Sequence, residues 1–205
     1  SADAFLFSVS AQQRNFRGRG QYLSARIQTT SRQQDLEFRF TEPKFQDRNL
    51  AVGLDLFATQ SDFFQEAGFK NSILGAGGRL LFPLSDTDQI GLRYNLRSDD
   101  LQLDNDASSP TYTNCATTAF FRSSLCDQQG SRLTSSLGYT LTMNRTNDYL
   151  NPTRGFYVDY NQDIAGLGGD VNFIRTDLEA AWFHGFTKDL IFSITGSAGY
   201  ITGWG

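Results

Sequence analysis

The run Gln89-Ile90-Gly91-Leu92-Arg93-Tyr94-Asn95-Leu96-Arg97 decides the fold, because apolar side chains stand at every second position with glycine, asparagine or arginine between them. A period of two belongs to an extended strand, whose side chains point alternately to opposite faces; a helix would scatter the same residues around its circumference. The pattern recurs at Leu36, Phe38 and Phe40 against Glu37, Arg39 and Thr41, and at Leu50, Val52, Leu54 and Leu56 against Ala51, Gly53 and Asp55. Further on, Leu133, Leu137, Tyr139 and Leu141 oppose Arg132, Thr134, Ser136 and Thr140, and Phe156, Val158, Tyr160 and Ile164 oppose Tyr157, Asp159, Asn161 and Asp163. Phe5, Phe7 and Val9 alternate less cleanly with Leu6, Ser8 and Ser10. Strands of this kind build a sheet with one oily face and one wet face, and their length is that of a membrane-crossing strand, about 9–11 residues.

Marking where alternation stops predicts about ten strands, at 5–14, 21–30, 35–41, 50–60, 72–84, 89–97, 132–144, 155–164, 171–183 and 190–202. If consecutive strands are antiparallel, the connections 15–20, 42–49, 85–88, 145–154 and 185–189 share one side of the sheet. The connections 31–34, 61–71, 98–131 and 165–170 share the other. Short turns on one side and longer loops on the other is the asymmetry of outer-membrane barrels, whose short turns face the periplasm. Pro43 and Pro152, which lack an N–H, sit where ladder pairing should end, and Gly166, Gly168 and Gly169 suit a tight reversal. Gly75, Gly77 and Gly78 lie inside a strand, where a missing side chain permits a bend or the close approach of another segment.

Composition narrows the class. The 205 residues are 39% hydrophobic, with 18 Phe and 19 Gly but one Met and four Pro. Mean hydropathy is −0.39, a value that in a membrane barrel reflects strands with one face turned to a polar lumen. No apolar run reaches the roughly 18 residues that a spanning helix needs. Positions 1–12 lack the basic start, apolar run and cleavage site of a secretory leader, so a mature product or an excised piece is expected. A net charge of −4 with no concentrated basic patch argues against nucleic acid as a partner. Cys115 and Cys126 stand close together in a polar stretch without His or acidic neighbours at metal-ligand spacing, which favours a disulfide in an oxidising compartment over two free thiols.

The charges on the alternate positions are Arg26, Glu37, Arg39, Asp55, Arg79, Arg93, Arg97, Asp159, Asp163, Arg175, Asp177 and Glu179. All fall on the polar face, in mixed sign, where a water-filled lumen or a partner on the next strand would satisfy them. The bland alternative is the solvated face of a soluble sandwich. Phe16, Phe45, Phe82, Tyr149, Trp182, Phe186 and Trp204 lie near strand ends and fit the aromatic girdles of a membrane barrel, although each alone would also suit core packing.

Four short segments carry a family resemblance. Asn15-Phe16-Arg17-Gly18-Arg19-Gly20-Gln21, Thr41-Glu42-Pro43-Lys44-Phe45, Asn151-Pro152-Thr153-Arg154-Gly155 and Ala165-Gly166-Leu167-Gly168-Gly169-Asp170 resemble, in the same order, turns and loops of the BamA family of outer-membrane protein assembly factors. Each is weak alone; four in register are fairly specific. The resemblance implies an all-β fold, an antiparallel transmembrane β-barrel fragment of about ten strands in a sixteen-stranded barrel. Positions 1–205 would then be a partial outer-membrane barrel domain, the second through eleventh strands. The family's POTRA repeats and first strand would lie before it, and its inward-tucked Val-Arg-Gly-Phe loop and closing strands after it. The family's gate strands fall outside the sequence, so no gate residue is transferred.

What the resemblance implies for function is non-enzymatic insertion of other barrel proteins into the bacterial outer membrane, with no cofactor. The partners it implies are the lipid bilayer, unfolded outer-membrane protein clients and the accessory lipoproteins of the BAM complex. Two alternatives remain open from the residues: an outer-membrane channel or two-partner secretion pore lined by the charged face, and a soluble extracellular β-sandwich binding module. Catalytic readings find little support. His184 is the single histidine and sits near a turn; Asp99, Asp100, Asp104 and Asp106 are spaced unlike a calcium loop; Asp177 and Glu179 share a strand face, where pairing with Arg175 is the simpler account.

Overall fold

A computed structural model of the chain describes residues 5–106, 108–109, 115, 125–187 and 190–204. Positions 1–4, part of the 98–131 connection, the last two positions of the 185–189 turn and position 205 lie outside the described residues.

Ten strands form one sheet in chain order: β1 Leu6–Phe16, β2 Gln21–Thr30, β3 Gln33–Glu42, β4 Ala51–Phe63, β5 Phe69–Pro83, β6 Asp88–Leu103, β7 Gly130–Asn144, β8 Arg154–Ala165, β9 Phe173–Gly185 and β10 Ile191–Gly203. Among the described residues, a 3-10 turn, Phe45–Asp47, and a helical turn, α1 Phe64–Ala67, lie between strands. The strands run from 10 to 16 residues, longer at several ends than alternation predicts. The reason is physical: alternation reports only the part of a strand with one oily face, and pairing continues beyond it where the positions that carry on that face turn polar, as at Ser98, Asp100 and Gln102. So β6 extends past Arg97 through Ser98, Asp99 and Asp100, which places two of the four clustered aspartates on a strand rather than in a loop. Likewise β4 reaches Phe63 and β5 begins at Phe69, leaving only α1 and Gly68 between them.

The chain divides into two compact units. The first comprises Ser1–Thr41, Leu54–Gly77 and Asn95–Thr134. Its antiparallel register aligns Val9, Ile27 and Leu36 in one row and Ala11, Ala25 and Phe38 in another, while Ser10, Arg26 and Glu37 make a row of opposite parity. The second comprises Glu42–Gly53, Gly78–Tyr94 and Ser135–Gly205. There Leu141, Tyr160, Leu178 and Ala198 align, and the neighbouring row is Thr142, Asp159, Glu179 and Ser197. Within each unit, therefore, apolar rows and polar rows separate onto opposite faces.

The apolar rows are uncovered. Leu54 in the first unit is 46% exposed and Leu92 in the second 39% exposed, and the buried hydrophobic residues among those described are only Leu103 and Ala165. A soluble sandwich would seal these rows beneath a second sheet.

Candidate functional site

The polar rows are where side-chain chemistry concentrates, and the second unit shows how they are built. Arg93 of β6 donates from Nε to Asp163 Oδ1 of β8 at 2.8 Å and from Nη1 to Thr140 Oγ1 at 2.5 Å and Asn161 Oδ1 at 3.2 Å. The pair spans β7, and it does so because β7 offers Gly138 at the crossing. A Cβ on Gly138 would stand 2.0 Å from Asp163 Oδ1 and 2.8 Å from Arg93 Nε. Both charged side chains are about three-quarters or more buried, so mutual pairing and neutral donors and acceptors replace the water they lose. Thr142 donates to Asp159 Oδ2 at 2.9 Å, and Tyr157 donates to the same oxygen at 3.1 Å.

Charges of mixed sign do not all pair across the ladder as expected. Arg26 faces Glu37 and Asp163 faces Arg175 in register, yet Arg175 turns along its own strand to Asp177 at 2.7 Å. Asp159 and Glu179 oppose each other with like sign. In the first unit Arg39 bonds Asp55 at 3.0 Å, and Arg97 bonds Asp99 at 2.8 Å. Arg79 lies over Gly53, at about the distance a Cβ there would first feel. Gly75 is explained in the same way: the ring of Phe57 occupies the space where its side chain would be.

The four segments of family resemblance are all tight connections. Asn15 Oδ1 accepts the Gly20 N–H at 2.7 Å and closes a turn with Arg17, Gly18 and Gly20 in the left-handed region; Arg17 also lies over the Phe16 ring. After Thr41, Glu42 accepts the Lys44 N–H at 3.3 Å, with Pro43 between them and Phe45 opening the 3-10 turn. Asn147 Oδ1 accepts the N–H groups of Thr153 and Arg154 at 3.0 and 2.8 Å, framing Asn151 and Pro152. Gly155 has φ +108 and a Cβ there would meet the Arg145 carbonyl oxygen at 2.1 Å, so no other residue fits. Between β8 and β9, Gly166 lies against the Trp204 ring, and Gly168 also has positive φ; Gly169 and Asp170 complete that reversal.

Titration in the connections follows from local donors. The backbone N–H groups of Asn151 and Leu150 hold the Asp148 carboxyl below its usual range, and the Ser108 hydroxyl and N–H do the same for Asp106. The other clustered aspartates are likewise engaged locally: Asp100 accepts from Gln102, and Asp104 accepts the Asp106 N–H. Among the described residues no three His, Cys, Asp or Glu side chains are grouped to hold a metal ion. Cys115 and Cys126 are joined in a disulfide. His184 stacks on Trp182 with ring centres 5.5 Å apart and meets Phe186 edge-on at 4.8 Å, an aromatic setting rather than a nucleophile–base pair.

The sequence alone did not single out Gly138, Thr140 or Asn161 as partners of Arg93, nor Phe57 above Gly75. A glycine inside the strongly alternating 137–141 run was the available signal for the first.

Comparison with known proteins gives one consistent result. Residues 15–205 match the Omp85 superfamily domain. The chain is 25% identical over 201 residues to an outer membrane protein assembly factor BamA of Neorickettsia risticii, which covers 98% of this chain and 26% of that protein. It is 37% identical over 79 residues, 38% of this chain and 15% of the relative, to a human sorting and assembly machinery component 50 homolog. Its fold resembles a crystal structure of BamA from Haemophilus ducreyi lacking POTRA domains 1–3, with a TM-score of 0.75 at 17% identity, covering all of this chain and 40% of that one. The chain thus spans about a quarter of the length of the assembly-factor relatives it matches.

Proposed function

The chain belongs to the Omp85 superfamily, and from that premise we propose that its ten strands are part of the wall of a bacterial outer-membrane barrel that folds and inserts other barrel proteins. The observation that carries this reading is the family match over residues 15–205, joined by relatives named as outer membrane assembly factors. The uncovered apolar rows agree with it, since hydrocarbon is the solvent in which rows such as Val9-Ile27-Leu36 and Leu141-Tyr160-Leu178 cost nothing to expose.

In this reading the polar rows face the lumen, carrying Arg26, Glu37, Arg39, Asp55 and Arg97 in the first unit and Arg79, Arg93, Asp159, Asp163, Arg175, Asp177 and Glu179 in the second. The turns at 15–20, 42–49, 85–88, 145–154 and 185–189 face the periplasm, where POTRA repeats and accessory lipoproteins would meet them. β1 and β10 each have a neighbour on one side only in the strand order, and lipid offers their outer backbone groups nothing. Further strands, to a total of sixteen, pair with those edges. The role is that of a non-enzymatic template: an exposed strand edge elsewhere in the complete barrel pairs with a client strand.

Depletion of the full-length protein from cells tests the proposal. Many outer-membrane barrel proteins should fall together, measured by quantitative proteomics of the outer-membrane fraction. Unchanged levels of all of them, with stable solute-selective conductance from the purified protein in a planar bilayer, would favour a pore instead.

A further inference from the structure

We infer that Arg154, with the rings of Trp182 and Phe186, seats the phosphate of a glycerophospholipid at the turn-side end of the apolar face. The inference rests on the membrane reading above and adds a ligand site to it. Register places Arg154 opposite His184, and His184 opposite Phe192, so an arginine opens a row that is otherwise aromatic. Trp182, His184, Phe186 and Phe192 form a connected ring cluster, with Trp182 and Phe192 edge to face at 6.3 Å. Beside it lies a hollow of about 450 Å³ lined by Asn147, Thr153, Arg154, Gly185, Phe186 and Thr187.

Three observations specify the occupant. Arg154 is exposed, and among the described residues its guanidinium has no carboxylate within ion-pair distance. The other arginine of the same turn is different: Arg145 is held by Thr87 Oγ1 at 2.6 Å and Asp88 Oδ2 at 2.7 Å. The nearest acid in the turn sequence, Asp148, accepts the Leu150 and Asn151 N–H groups instead. The Trp182 indole N–H also has no acceptor among the described residues, while its ring is 46% and Phe186 65% exposed. A planar guanidinium and an indole N–H above an oily belt match an anionic phosphate and ester oxygens above acyl chains. The apolar row Phe156, Trp182 and Ile194, next to the row of Arg154 on the same face, gives the acyl chains a surface to lie on.

Native mass spectrometry of the full-length protein released from detergent, titrated with palmitoyl-oleoyl phosphatidylglycerol, tests the site. The wild type should retain a phosphatidylglycerol adduct under activation that strips dioleoylglycerol, which has similar chains and no phosphate. Arg154→Gln should weaken that adduct about fivefold, as for loss of one cation near a lipid surface. Arg154→Lys should keep most of it, and Arg48→Gln, at another turn, should leave it unchanged. Equal retention by wild type and Arg154→Gln overturns the inference, as does equal retention of dioleoylglycerol or a preference for lipid A over phosphatidylglycerol. Protease protection in phosphatidylglycerol–phosphatidylethanolamine vesicles separates the two proposals. A protein that inserts yet retains no phosphatidylglycerol defeats the site alone; one that fails to insert defeats the membrane reading as well.

Discussion

Arg93 shows how a charge is kept inside a thin wall of protein. Its guanidinium reaches over β7 to Asp163, and the crossing is open because position 138 has no side chain. Gly138→Ala drives a Cβ into the carboxylate and the guanidinium together, and the Gln162 carbonyl oxygen, 3.0 Å away, blocks a sideways retreat. The expected cost is about 1–3 kcal/mol, the range for overpacking a closely fitted site. It is measured as the shift in urea midpoint of the full-length protein folded in vesicles. A double-mutant cycle with Arg93→Met identifies the cause, since the two losses should not add if Gly138 matters only by making room for the pair. Full additivity would mean that the glycine serves the strand and not the ion pair. The alternating run at 89–97 was enough to put Arg93 on the polar face, but a period of two says nothing of register. The partner 70 positions away was therefore invisible until β6, β7 and β8 were aligned.

At the scale of the element, the strands were legible wherever one face is oily, and their ends were not. β2 coincides with the alternation, whereas β6 outruns it by six residues, because beyond Arg97 the positions that continue its oily face are the polar Ser98, Asp100 and Gln102. Turns were legible as glycine and proline punctuation, but their internal wiring was hidden: nothing in the spacing marked Asn147 as the acceptor for two later N–H groups, or Asp148 as the acceptor for Leu150 and Asn151. Asp148 gives that turn a pH response of known sign. Its carboxyl is held below the ordinary aspartate value of 3.8 by hydrogen bonds to the charged form, so the folded turn binds a proton less readily than the unfolded one. The contribution is present in full above the ordinary value and is lost as pH falls through the lowered one. Amide exchange at Leu150 and Asn151, followed from about pH 5 to about pH 2, should show protection disappearing only at the acid end of that range. In Asp148→Asn the exchange should lose this dependence; an unaltered profile in that variant would assign the transition to another group.

For the molecule as a whole, the two faces of the sheet make opposite demands on the same substitution. Leu178 lies mid-strand in an apolar row between Tyr160 and Ala198, while Ser197, its neighbour on β10, lies in the polar row opposite Glu179. Arginine at position 178 would place a cation where hydrocarbon is proposed, at a cost of about 2–4 kcal/mol near the bilayer midplane. Arginine at position 197 would enter a row that already holds Asp159 and Glu179, two carboxylates of like sign facing each other, and its charge there is complementary. Leu178→Arg should therefore lower the folded fraction of the full-length protein in vesicles strongly, and Ser197→Arg should leave it within about 0.5 kcal/mol of wild type, the usual range for a substitution that breaks no specific contact. Heat-modifiable mobility on gels and urea titration read both. The comparison is sensitive to environment rather than to strand propensity, because the residue introduced is the same and the two positions lie on paired strands at successive rungs of one ladder. If Ser197→Arg proves the more damaging of the two, water lies on the Leu178 side, and the assignment of lipid to the apolar rows is reversed.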